Sequence, residues 1–317
     1  MQAEKEEVLR AKLLEEPIEH IDITSFDAGP LIDGMKKMSF TARDLGRACD
    51  IFETMVADPA CTIVLSLAGS TSAGGCMQVY VDMLRHKLID AVVATGASIV
   101  DMDFLEALGF RHYRGDARLD DRQLRELYID RIYDTFIDER DLQECDRTVK
   151  AIADSMQPGV FSSREFIREM GRWLTRNAKK PASLIQSAFE NDVPIFCPAF
   201  SDSSAGFGLV AHQVERKENY VSIDSVQDFR ELTDVKIAAG ATGLFMVGGG
   251  VPKNFAQDTV VCAEVLGHEV EMLASWRVGA NLALDAGVGF FVPRGFARQR
   301  GDDLQSWAFV MMNATFQ

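Results

Sequence analysis

A chain of 317 residues that is 47% hydrophobic and 26% charged, with 24 Gly and only 9 Pro, reads as a globular protein of one large domain or two ordinary ones. Disorder, collagen and coiled coil are excluded. The 33 basic residues against 48 acidic ones leave a net charge of −15, which repels a nucleic-acid backbone and attracts a polycation.

The opening segment MQAEKEEVLRAKLLEEP is charged where a secretory signal is apolar, and no run approaches the roughly 18 apolar residues that span a bilayer. A cytoplasmic location is the expectation. Residues 1–20 read as an amphipathic helical arm with Val8, Leu9, Leu13 and Leu14 on one side, either solvated or packed against another subunit. Next come an apolar β-branched run at 62–67, the helical pattern CMQVYVDMLRHKLI and a second apolar run at 89–95. The stretch 111–160 is the least regular and most charged, and reads as an insertion rather than a boundary. Helical patterns return in SREFIREMGRWLTRN and PASLIQSAFEN, then strand runs at 193–200 and 220–223. Asp224 is placed to cap the helix SVQDFRELTDVKIAAG. A strand at 242–250 follows, and ANLALDAGVGFFV reads as helix then strand, before a polar loop in PRGFARQRGDD.

Strands alternating with helices predict an α/β fold, with a doubly wound, mostly parallel sheet covered on both faces. No internal repeat or linker divides it, so 1–317 is expected to be one domain. The cysteines Cys49, Cys61, Cys76, Cys145, Cys197 and Cys262 form no CxxC pair, and the five histidines form no HExxH, so no metal site is signalled.

Four segments carry candidate chemistry, each of them small residues directly after a strand. LAGSTSAGG (Leu67 to Gly75) lets backbone amides approach a phosphate, or is simply a tight strand-to-helix turn. VVATGASIVDMD sets Thr95, Gly96, Ala97 and Ser98 before Asp101 and Asp103, carboxylates that either hold an amine or cap a helix. PAFSDSSAGFG places Asp202 where a carboxylate either accepts from a ribose or caps the next helix. MVGGGVPKNFAQD puts three glycines at a strand end before a proline suited to open a helix. Four such ends on one sheet edge predict a ligand crevice.

In the order TIVLSLAGSTSAGG, LIDAVVATGAS, VPIFCPAFSD and FMVGGGVPKNF, over about residues 20 to 270, the chain resembles the deoxyhypusine synthases, and most of all their bacterial deoxyhypusine synthase-like branch. The resemblance implies a Rossmann-like NAD-binding fold and a homotetramer with sites at subunit interfaces. It further implies NAD-dependent oxidation of a polyamine such as spermidine, with transfer of the aminobutyl group through an enzyme lysine to an amine or a protein lysine. By position, Gly69, Ser70, Thr71, Ser72 and Ala73 resemble the first NAD-contacting loop, Thr95, Gly96 and Ala97 the second, and Asp202 the acidic residue at the dinucleotide. Asp101 falls where the family has a carboxylate near the amine.

The chain departs from the family pattern at Phe255, where the eukaryotic enzymes carry a histidine, and at Phe207, where an aspartate is expected. The segment 273–317 diverges more. Ser275-Trp276 is followed by Arg277-Val278, and Ser306-Trp307 by Ala308-Phe309, so the family's Ser-Trp-Gly-Lys block is absent and no lysine follows Lys253. An arginine stays protonated and forms no imine. Lys253 is then the one nearby amine, read either as a substitute nucleophile or as a structural or phosphate-contacting residue. Two further readings follow from the missing lysine: an NAD-dependent amine oxidoreductase, or a homologue without catalysis that binds NAD or a partner subunit.

Overall fold

The computed structural model describes residues 2–180, 183–266, 268–279, 282–292 and 305–314. Helix α1 (Gln2–Leu13) turns Leu9 and Leu13, together with Leu14 just beyond it, onto a small core of Leu124, Leu127, Ile129 and Phe136. The arm is thereby docked on the chain's own body, with Val8 left facing solvent. After a 3₁₀ turn at Ile23–Ser25 come α2 (Gly29–Lys36) and α3 (Thr41–Ala57). Strand β1 (Cys61–Leu67) leads through a π-turn at Ser72–Cys76 into α4 (Met77–Arg85), and β2 (Ala91–Ala94) through a second π-turn at Ala97–Asp101 into α5 (Met102–Ala107).

The irregular, charged stretch then folds as β3 (His112–Arg114), α6 (Asp121–Glu126), β4 (Ile129–Ile132), β5 (Thr135–Asp138) and α7 (Glu139–Ser155). Its strands form an antiparallel sheet in the order β3-β5-β4. Beyond it lie β6 (Gly159–Phe161), α8 (Ser163–Asn177), α9 (Leu184–Asn191), β7 (Ile195–Phe196) and α10 (Ser204–Arg216). Strand β8 (Val221–Ile223), α11 (Ser225–Ala238), β9 (Ala241–Val247) and α12 (Gly250–Leu266) follow, then β10 (His268–Gly279), β11 (Leu282–Val292) and β12 (Gln305–Ala314).

The main sheet runs β10-β11-β12-β9-β1-β2-β7 and is parallel from β12 to β7. Side chains alternate along a strand, so β1 feeds two cores. Ile63, Leu65 and Leu67 join the larger core with α4, α5, α8 and α9. Val64 joins the second, with Leu232 of α11 and Ala256 and Val260 of α12. The part of the sheet from β9 to β7 is covered on both faces, as apolar runs without alternation require.

Local chemistry sets the helix starts. Ser162 and Glu165 form a reciprocal capping box that opens α8, and Asp224 accepts from the amides of Val226 and Gln227 at the start of α11. Three expectations are corrected. The run at 193–200 contributes only Ile195–Phe196 to the ladder, because Pro194 and Pro198 on either side offer no amide hydrogen. The run at 220–223 leaves the main sheet and pairs parallel with β6. The segment ANLALDA, expected as a helix, lies largely in β11, whose antiparallel ladders to β10 and β12 claim its backbone. The polar loop expected in PRGFARQRGDD lies outside the described residues.

Candidate functional site

From β1 the chain moves to β2 and β7 on one side, and later to β9 on the other. The strand order therefore reverses at β1, the place where an open α/β sheet leaves a crevice at its carboxyl edge. The four small-residue segments meet there. Ala68 and Gly69 follow β1, Ala94 to Gly96 close β2, and Pro198, Ala199 and Asp202 follow β7. The run from Gly248 to Pro252 follows β9. Together they enclose about 440 Å³, within the range of small-molecule sites. Among the described residues that line it, Asp202 carries the one charge; the rest of the wall is backbone, methyl groups, proline and a hydroxyl.

Hydrogen bonds fasten the loops to one another. Gly69 turns at φ +78°, and its carbonyl accepts from Thr95 Oγ1 at 3.2 Å and from Ser98 Oγ. This ties the first loop to the second. The Ala68 amide donates to the Val247 carbonyl at 2.9 Å, tying the first loop to the fourth. The second and third loops touch at Gly96, where a Cβ would lie 2.3 Å from Ser203 Cβ. The third loop is also held from behind: the Ser163 hydroxyl accepts from the Cys197 amide at 2.7 Å.

The candidate residues separate by position. Gly69, Thr95, Gly96 and Asp202 line the crevice. Thr71 turns away, its hydroxyl 2.7 Å from that of Tyr80. Ser72 and Ala73 are buried in the π-turn, and Ser72 Oγ has no hydrogen-bond partner. Ser70 and Ala97 are half-buried beside the crevice wall.

Asp101 is buried behind the wall, where its oxygens accept from the amides of Ser204 at 3.2 Å and Ala205 at 2.9 Å. It thus caps α10, a helix far from it in sequence, and joins the second loop to the third. Burial raises its pKa, while the two amides act in the opposite direction. Asp103 does the same for α9, accepting from Leu184 and Ile185, each at 2.8 Å. Burial, only partly offset by those amides, pushes it up to about 7. Lys253 stands in the first turn of α12, half-buried, with Cδ 4.0 Å from where a Cβ on Gly249 would sit. Phe207 is exposed on α10, and Phe255 packs edge-on against Phe229, their ring centroids 5.1 Å apart.

One cluster had no sequence signal. Glu106, His20, His112 and Lys180 come together from four separate segments, on a face of α5 that does not line the crevice. Their separations in sequence fit no motif.

Sheet order and loop chemistry define a doubly wound α/β protein with a crevice at its strand ends. The family model for deoxyhypusine synthase matches residues 30–282. A deoxyhypusine synthase-like protein of Coxiella burnetii is 66% identical over 265 residues, which cover 83% of this chain and 75% of that one. A Methanosarcina mazei protein named "Probable deoxyhypusine synthase 2" is 36% identical over 250 residues, covering 79% and 72%. The crystal structure of a candidate deoxyhypusine synthase from Entamoeba histolytica matches in fold, with TM-score 0.53 at 21% identity over 74% of this chain and 80% of that one. The chain belongs to the deoxyhypusine synthase family.

Proposed function

We propose that this chain binds NAD in the strand-end crevice and uses it on a polyamine such as spermidine, passing an aminoalkyl group to an amine or a protein lysine. The observation that carries the reading is the convergence of four small-residue strand ends, three of them bearing glycine, on one crevice in a chain of this family. At Gly69 and Gly250 a Cβ would meet no protein atom within 4 Å, so the backbone at both is open to a phosphate. The buried, unpartnered hydroxyl of Ser72 lies in the same loop. These residues fit a dinucleotide.

When bound, NAD supplies the hydride acceptor that turns an amine into an imine. The chain's own part is placement. Gly69, Thr95 and Gly96 set two walls, and Asp202 offers a carboxylate to a ribose hydroxyl or an ammonium. Phe207, Val210 and Val214 form an exposed apolar stripe along α10, the helix that starts beside Asp202. That stripe supports assembly of several copies, a homotetramer on the family pattern, with the crevice near an interface. Among the described residues no helix is long and apolar enough to cross a membrane.

A second reading has its own support: no lysine follows Lys253. An amine oxidoreductase that releases its imine to water needs none. The test is to incubate the protein with NAD and a panel of amines, follow NADH absorbance, then trap with borohydride and measure intact mass. NADH with a trapped aminoalkyl adduct upholds the transferase. NADH without an adduct supports the oxidoreductase, and neither signal overturns both.

A further inference from the structure

The residues just after α1 run along the body rather than away from it. The Arg114 amide donates to the Glu16 carbonyl at 2.7 Å, the Ile18 amide to His112 at 2.8 Å, and the Ile21 amide to Gly75 at 3.0 Å. Gly75 lies at φ +95°, and a Cβ there would sit 2.9 Å from the Glu19 carbonyl oxygen, so this segment presses directly on the end of the first crevice loop. Between Glu19 and Ile21, His20 points inward with both ring nitrogens engaged. Nδ1 accepts from the Met77 amide at 3.2 Å, and Nε2 donates to Glu106 Oε2 at 2.6 Å. Accepting at one nitrogen and donating at the other defines the neutral ring.

Each end of this bridge leads to the crevice. Met77 is the first residue of α4, whose opening amides have no acceptor within the helix, and α4 directly continues the loop that begins at Gly69. Glu106 closes α5, which continues the loop that begins at Thr95. Glu106 is itself fixed: its Oε1 takes His112 Nδ1 at 2.8 Å, and Lys180 reaches Oε2. Burial alone would raise its carboxyl, but the hydrogen bonds from His112, His20 and Lys180 together hold it below the usual range. Neither His20 nor Glu106 lines the crevice.

We infer that His20 is a positioning residue for the first crevice loop: through the Met77 amide it fixes the turn that presents Gly69, while Glu106 holds the ring in place. The inference rests on the reading that the crevice holds NAD. Three variants separate the two bonds. His20→Asn keeps an acceptor at the Nδ1 position and loses the reach to Glu106. His20→Gln keeps that reach and loses the acceptor, and His20→Ala loses both. The measurements are amide hydrogen exchange at Met77 and 72–76 in the NAD-free protein, and NAD affinity by calorimetry.

His20→Gln and His20→Ala are expected to speed exchange at Met77 and weaken NAD about tenfold, the order of one hydrogen bond's net contribution. His20→Asn is expected to stay within about twofold of wild type in both, a rescue that a general loss of stability cannot produce. Equal losses in all three variants, or unchanged exchange in His20→Gln, overturn the inference. If wild type binds no NAD, the proposed function fails on its own account. Protection of Met77 in His20→Asn but not in His20→Gln then still upholds the positioning role, and its absence overturns it.

Discussion

Gly96→Ala isolates the contact between the second and third crevice loops. Gly96 has φ −54° and ψ −43°, which alanine adopts without strain, so the effect is steric. The new methyl would lie 2.3 Å from Ser203 Cβ and 2.9 Å from its Oγ, against a normal carbon–carbon contact of about 3.5–4.0 Å. Ser203 has little room to yield, since its hydroxyl donates to Phe200 at 2.6 Å and accepts from the Gly206 amide at the start of α10. Overpacking of this kind costs about 1–3 kcal/mol, a fall in Tm of roughly 2–4 °C per kcal/mol for domains of 150–250 residues and somewhat less for longer chains. Adding Ser203→Gly removes the clashing atoms and sacrifices a helix cap worth only a few tenths of a kcal/mol when glycine replaces serine. The double variant should therefore melt above Gly96→Ala alone. Wild-type stability in Gly96→Ala, or a further drop on adding Ser203→Gly, would refute the reasoning.

Two other outcomes follow from the buried carboxylates. Burial raises Asp103 to about 7 and Asp141, Asp146 and Asp228 to about 6. In this range the folded chain binds protons that the unfolded chain, with pKa near 3.8, has released. Stability from these groups is therefore present at acid pH and lost as pH rises toward 7. Melting temperature measured from pH 5 to 8 should fall with rising pH, and Asp103→Asn should flatten the slope; a rising curve contradicts the assignment. Asp101→Ala, which strips the cap from α10 and leaves two buried amides unpaired, should cost about 2–4 kcal/mol in urea denaturation. Asp101→Asn, which keeps one acceptor, should cost less than half of that, and equal losses would point away from capping.

The crevice was legible because each of its walls follows a continuous apolar run with small residues, and the bend at each strand end needs them. Helix α8 was legible from the helical pattern of SREFIREMGRWLTRN, to which the structure adds the capping box of Ser162 and Glu165. Periodicity says nothing about which sheet a short run joins, so YVSI was assigned to the main sheet although its partner is Gly159–Phe161. In VPIFCPAF the composition signalled a strand, while the two prolines limited the ladder to two residues. At Asp101 the sequence left capping and amine binding open, because the helix it caps begins a hundred residues later. His20 and Glu106 were beyond reach for a similar reason: a bridge between an arm and two helices leaves no local spacing to read.

The docking of α1 bears on how the chain is made. Leu9, Leu13 and Leu14 rest on Leu124, Leu127, Ile129 and Phe136, and Arg10 donates to the Leu127 carbonyl at 3.0 Å and pairs with Asp138. Helix α1 thus has its seat encoded more than a hundred residues downstream. Until β5 has emerged, Leu9, Leu13 and Leu14 lack the surface they pack on, and the nascent chain carries them as an apolar face. A chaperone that recognises short amphipathic helices would find its substrate in that interval and lose it once Asp138 is available to close on Arg10.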